Sequence, residues 1–272
     1  MGGYLAADGR LAGESGAGDV DAALRVAAEA GRIVLESGGE TYRAEDIIMA
    51  IAGALGALSV ESFATPTGLM ASCEDDEGRS RAVIRRIRKG QMNLDKIARV
   101  NAVARDAVAG SCDLDEAERR LCEIDALPPY PKPVPALGSA LITGFFCLLF
   151  GGAWNDALTA GLVGLAMGRL TSWLGAMRLP GFFINIAGGA FSAAIALGAG
   201  AAGLAASVDA VIIGSIMLLV PGVMIVNAIR DTIAGDLVAG VARGADAVIS
   251  AAGISIGVGV ALKLWALAGQ AL

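Results

Sequence analysis

The chain has 272 residues, 55% of them hydrophobic and only 5% aromatic, with 38 glycines and a net charge of -6. That apolar content exceeds the needs of a soluble domain, and the negative balance gives no support for nucleic-acid binding. The absence of histidine removes imidazole metal ligands, histidine triads and the commonest general base together. Cys73, Cys112, Cys122 and Cys147 show no C-x-x-C spacing and are expected to be reduced and packed.

The opening stretch, MGGYLAADGRLAGESGAGD, has neither the basic nor the apolar region of a signal peptide and reads as a flexible tail over 1–18. From Asp19 to Ser37, Leu24, Ala27, Ala28, Ile33 and Val34 fit one helical face, and Gly38-Gly39 stops the helix. A second amphipathic helix starts near Thr41, carries Ala44, Ile47, Ile48, Ile51 and Leu55, and ends at Gly56. The period then changes to two. Val60, Ser62, Ala64 and Leu69, Ala71, Cys73 alternate on either side of the turn Thr65-Pro66-Thr67-Gly68. After the acidic turn Glu74 to Gly78, the segment Ala82 to Ile87 predicts a third strand. The basic run Arg79, Arg81, Arg85, Arg86, Arg88 and Lys89 reads as a solvated or lipid-headgroup-facing surface. Asn93 is placed to cap a helix that turns Leu94, Ile97, Val100, Asn101 and Ala104 inward and closes near Gly110. Asp113 with Glu116 resembles a capping box for a last helix, Leu114 to Ile124. The whole predicts a cytoplasmic α+β domain over 19–127, followed by a stiff, extended, proline-rich linker over 128–135.

Charge thins abruptly beyond that point, and 136–272 reads as a five-helix transmembrane domain. The apolar stretches are about Ala136 to Trp154, Ala157 to Leu174, Phe182 to Ala206, Val208 to Ala228 and Ala247 to Ala268. Each approaches the roughly 20 residues that cross a bilayer core. Arg178, Arg230 and Arg243 fall on one side if the amino terminus is cytoplasmic, which puts the carboxyl terminus outside. Gly161, Gly164, Gly168, Gly188, Gly189, Gly198, Gly253, Gly257 and Gly259 read as points of close helix contact.

Polar residues in this half are few. Arg169, near the centre of the second stretch, costs about 2.5–3.5 kcal/mol on insertion scales and has to face a partner or water. Asn185 stands near the entrance of the third. Pro221-Gly222 interrupts the fourth, and Asn227, Arg230, Asp231 and Asp236 follow it; Asn227, Arg230 and Asp231 share a helical neighbourhood. A membrane helix holds a proline only where something re-satisfies the freed backbone groups, and transporters build sites at such interruptions. A guanidinium there suits a carboxylate ligand, with Asp231 or Asp236 as a proton carrier. These eight residues, Asn227, Arg230, Asp231, Asp236, Pro221, Gly222, Arg169 and Asn185, form the candidate substrate-binding set. The competing reading is a kinked span followed by a fixed Arg-Asp pair that anchors a basic cytoplasmic turn.

Three separated blocks, ESGGETYRAEDIIMAIAGALG, FATPTGLMASCEDDEGRSRAVIRRIRKGQMNLDKIARVNAVARD and VPGVMIVNAIRDTIAGDLVAGVARGADAV, resemble the threonine/serine exporter family, in particular its amino-terminal, five-span, succinate-export-subunit-like type. The resemblance runs from about Asp19 to Leu262. It implies a cytoplasmic domain joined to five membrane helices and efflux of small hydroxy amino acids or dicarboxylates. Single-chain members carry about ten spans, so it also implies a second, separately encoded membrane subunit. The family pattern maps onto Pro221, Gly222, Asn227, Arg230, Asp231, Gly235 and Asp236, and onto Glu40, Arg43, Glu45, Asp46, Thr65, Pro66 and Thr67, marking positions without assigning roles.

The sequence therefore predicts one subunit of a secondary exporter of small carboxylate metabolites, in the lipid bilayer of a cytoplasmic membrane. No cofactor, metal site or catalytic residue is expected, and no Walker-type phosphate loop is present. Association of several copies is compatible with this reading. The alternative is a membrane-anchored scaffold whose cytoplasmic domain binds a soluble partner. A membrane-tethered enzyme fits least, since Glu40, Glu45 and Asp46 have no nucleophile, metal set or phosphate loop beside them.

Overall fold

The computed structural model describes residues 17–75, 78–88, 90, 92–128, 130–131 and 133–270. The expected tail before residue 17 lies outside them, as do Asp76 and Glu77 of the acidic turn, Lys89 of the basic run, and Pro129 and Lys132 of the linker. The chain divides into two compact units, one holding the described residues up to Pro128 with Val226–Arg243, the other Pro129–Ile225 with Gly244–Leu272.

In the first unit, α1 (Ala17–Glu36) and α2 (Thr41–Ala54) bury the apolar faces read from their periodicity, with Leu24, Ile33, Ile48 and Ile51 almost fully enclosed. β1 (Leu58–Thr65), β2 (Gly68–Glu74) and β3 (Ser80–Arg86) form an antiparallel sheet in that order. Leu69, Ala71 and Cys73 point into the core, while Phe63, Met70 and Ile84 pair across the strands on the exposed face. α3 (Leu94–Val108) is capped by Asn93, whose side chain accepts from the Lys96 N–H at 3.1 Å, and α4 (Leu114–Asp125) by Asp113, which accepts from the Glu116 N–H at 2.9 Å. Two expectations fail here. Leu94 is exposed rather than inward, because the first residue of a helix lies at its rim, and Cys122 is exposed on α4 whereas Cys73, Cys112 and Cys147 are buried thiols.

The second unit opens on α5 (Pro133–Leu149), which begins inside the stretch expected to be extended. Pro133 and Pro135 occupy its first turn, where a missing N–H costs nothing. α6 (Trp154–Ala176) and α7 (Gly181–Ala201) follow, then α8 (Val208–Ile216), α9 (Gly222–Ala234) and α10 (Leu237–Gln270). Five spans were expected, the fourth interrupted at Pro221-Gly222; among the described residues three helices are long and apolar enough by length and composition, namely α6, α7 and α10. α5 has 17 residues, and the fourth stretch is broken over Met217–Pro221 into α8 and α9. The break follows from Pro221, which has no N–H to give and disfavours helix in the residue before it.

Lipid-type packing is evident in what each helix hides and shows. Many buried positions are small, such as Ala160, Ala193, Ala196 and Ala199, with Met167 and Val211 the largest fully enclosed, while Leu141, Phe145, Leu158, Leu162, Ile256 and Val260 face outward. A Cβ at Gly189 would lie 2.5 Å from the Ile254 carbonyl oxygen, and one at Gly257 would lie 2.1 Å from that of Ile186, so α7 and α10 cross in backbone contact. Gly198 and Gly259 face open space and are not contact points.

Asp156 is fully buried at the start of α6 and accepts from the N–H groups of Ala153 (2.9 Å), Ala206 (2.6 Å) and Ser207 (3.1 Å). It thus caps its own helix and fastens the loop that leads into α8. Asp156→Ala should lower stability by about 2–3 kcal/mol by orphaning these donors, and Asp156→Asn should recover part of the loss. Thermal unfolding of the detergent-solubilised protein checks this; an unchanged melting temperature for the alanine variant refutes the capping role.

Candidate functional site

The site is built on the turn between α1 and α2. Gly38 adopts φ +86°, a left-handed conformation that ends α1, and Ser37, Gly38 and Gly39 return their N–H groups to Ile33, Leu35 and Val34. Their hydrogen bonds back to α1 leave the Gly38 and Gly39 carbonyls pointing at the segment Val226–Arg243, which belongs to the same unit. Asn227 Nδ2 donates to the Gly38 oxygen at 2.9 Å, and Arg243 Nη2 donates to that of Gly39 at 2.7 Å. Arg230 Nη1 reaches Glu40 Oε1 at 2.6 Å. The Thr41 N–H, first of α2, donates to Asp231 Oδ1 at 3.2 Å, and its hydroxyl donates to Asp236 Oδ2 at 3.0 Å.

The elbow that makes this possible is local. α9 ends at Gly235, φ +99°, whose conformation is open to glycine, and the Asp236 N–H returns to the Asp231 carbonyl at 2.8 Å. Asp236 therefore leaves the helix and is not in helical register with Thr232.

Charge is concentrated and mostly satisfied. Asp231 is fully buried, with Arg243 Nε 3.1 Å from its Oδ2, close enough for an ion pair although the N–H is not aligned for a hydrogen bond. Burial alone would raise the Glu40 carboxyl, but its own backbone N–H, the Arg230 hydrogen bond and the charge of Arg43 bring it below the usual range. Glu45 goes the other way. Burial raises it, the negative charges of Asp236, Asp46 and Asp231 add to that, and the bond from the Ala64 N–H at 2.6 Å only partly offsets them.

Of the eight candidate residues, Asn227, Arg230, Asp231 and Asp236 meet on this turn. Pro221 and Gly222 form the start of α9, where the Pro221 carbonyl accepts from the Ile225 N–H. Arg169 and Asn185 lie in the other unit. Arg169 is exposed on α6 and makes no ion pair among the described residues, and Asn185 is half-buried on α7 beside Gly253. Sequence reasoning missed Thr41 and Arg243 as members of the cluster. Glu40 lay in the family pattern, and the Gly38-Gly39 stop was legible, but Arg243 read only as a topology marker.

Two measurements test this account. Arg243→Ala leaves the buried Asp231 carboxylate uncompensated and should cost about 3–5 kcal/mol, whereas Arg230→Ala, at a half-exposed pair, should cost no more than about 1 kcal/mol; equal losses in thermal unfolding would contradict it. For Glu45, a carboxyl raised by folding stabilises only when protonated, so its contribution is complete below the unfolded-state value and is lost as pH rises through the folded one. Glu45→Gln should therefore raise the melting temperature at neutral pH and flatten its decline from acid to neutral. A variant that tracks wild type across that range would dismiss the burial of charge at Glu45.

Fold and polar cluster together define a multi-spanning membrane protein with a mixed helix-and-sheet amino-terminal region. A profile of the family described as "Putative threonine/serine exporter" (ThrE) matches residues 25–265, and the chain belongs to that family. It is similar to the "Threonine/serine exporter" of Corynebacterium glutamicum, 29% identical over 63% of this chain and 36% of that protein. It is similar also to the "Probable succinate transporter subunit YjjP" of Escherichia coli K12, 26% identical over 91% of this chain and 96% of that one. The "Probable threonine/serine exporter" of Mycobacterium tuberculosis is 24% identical over 66% of this chain and 34% of its own length. The chain thus spans about a third of the two exporters and nearly all of the transporter subunit. No solved structure matches it. The family is one of transporters, so the chain is not an enzyme.

Proposed function

We propose that this chain is one subunit of a secondary exporter that moves small carboxylate metabolites, threonine- or serine-like amino acids or dicarboxylates such as succinate, out across a cytoplasmic membrane. The observation that carries this reading is the family match across residues 25–265, joined to near end-to-end similarity with a transporter subunit. In this reading α5, α6, α7, the broken α8–α9 pair and α10 make five crossings, with the amino-terminal unit cytoplasmic and the carboxyl terminus outside. A second, separately encoded membrane subunit completes the transporter in this reading, which is supported by the word subunit in the name of the relative matched nearly end to end.

The substrate carboxylate is read as competing with Glu40 for Arg230, beside Asn227. Two features support this: Arg230 is the half-exposed member of the cluster, and Glu40 holds it through a single bond. Asp231 and Asp236 then sense that exchange through Thr41, which both of them bind. Pro221, Gly222, Arg169 and Asn185 are assigned to the path through the second unit, to which all four belong.

Cells loaded with threonine or succinate should export it only when this chain and its companion are both present. Arg230→Ala and Asp231→Asn, compared at equal abundance, should cut efflux at least about tenfold, the scale of a lost charge-assisted hydrogen bond. Unchanged efflux in both variants removes the cluster from transport.

A further inference from the structure

In the second unit, hydroxyls on helices turn back onto their own backbone. Ser139, Thr143, Thr159, Thr171, Ser172 and Ser255 each donate to the carbonyl four residues earlier. Ser192 on α7 and Ser215 on α8 do not. Both are fully buried, and neither hydroxyl has a hydrogen-bond partner among the described residues. A buried orphan hydroxyl costs about 1–3 kcal/mol, so two of them call for an explanation.

They share one seam. A Cβ at Gly188 would strike Leu219 at 2.7 Å, and one at Gly200 would strike Val208 at 2.4 Å, so α7 and α8 run antiparallel with these residues opposed. Ser192 is one turn along α7 from Gly188 toward Gly200, and Ser215 is one turn back along α8 from Leu219 toward Val208. Ser192 and Ser215 therefore stand at corresponding levels of the two helices, where Ala193, Ala196, Val211 and Ile212 are also buried.

The end of α8 adds oxygen. Among the described residues no backbone hydrogen bond from Leu218 or Leu219 closes onto the carbonyls of Gly214 or Ser215; the Leu219 and Val220 N–H groups both go to Ile216. Gly214 and Ser215 are themselves buried. The geometry points to a site for a desolvated monovalent cation at the α7–α8 seam, formed by the Ser192 and Ser215 hydroxyls and the open carbonyls that end α8. The donor set consists of neutral oxygens at the negative end of a helix dipole, which suits a small hard cation. An anion would face carbonyl lone pairs there, and a divalent ion would lack the carboxylates it needs. A sodium ion and the ammonium head of an amino acid share this chemistry. A coupling or substrate role for the site rests on the exporter reading; the binding itself does not.

The test uses the full chain in detergent and its melting temperature, with no transport step, so its failure is distinct from a failure of efflux. Wild type in sodium chloride is compared with equal choline chloride, and with choline chloride plus threonine or plus succinate. Sodium, or threonine in choline, should raise the melting temperature saturably by about 3 °C. A response to sodium identifies the ion, and a response to threonine alone identifies the ammonium head. The S192A/S215A double variant should lose the response while melting no lower than wild type in choline, since it removes orphaned hydroxyls; each single variant serves if the pair does not fold. No response to sodium or threonine, a response to succinate only, or a response that survives in the variants overturns the assignment.

Discussion

The carboxylate of Asp231 is the constraint around which the first unit is arranged. It is fully enclosed, and the Thr41 N–H and the Arg243 guanidinium face it from two sides. Thr41 is where α2 begins, so a side chain nearly two hundred residues away completes the start of that helix. Around this one contact the other bonds follow: the Gly38 and Gly39 carbonyls are taken by Asn227 and Arg243, and Glu40 by Arg230. The polar residues after the proline thus form a clamp on a helical turn, with one solvent-accessible arginine.

Local chemistry made much of this readable. The caps at Asn93 and Asp113, the glycine stop after α1, the three strands and the change of period between them all rest on short-range rules that act within one or two turns. What was not legible depended on distance. Nothing in the spacing of Asn227, Arg230 and Asp231 says that their partners sit at 38–41, and the left-handed Gly235 takes Asp236 off the helix that carries them. Prolines misled in both directions. Those at 133 and 135 were read as forbidding helix, although the first turn tolerates them, while Pro221 was read as an interruption, with a kink as the competing reading, and is a full break.

That break matters for the family to which the chain belongs. An unbroken helix satisfies its own carbonyls and offers a ligand only side chains, whereas the nine residues of α8 end in open backbone beside a buried serine. The first unit therefore concentrates ionised groups, and the second holds a neutral, oxygen-lined one. In the proposed reading the two make different demands of a ligand: the first offers charges that water can reach, and the second neutral oxygens that do not share it with water.

The buried aspartate that opens α6 sets a boundary on motion in the second unit. By holding both its own helix start and the approach to α8, Asp156 pins the two at one end of the bundle. The start of α6 and the entry to α8 therefore cannot part without orphaning three N–H groups, which makes this end of the pair its fixed point, opposite the proline break at Met217–Pro221.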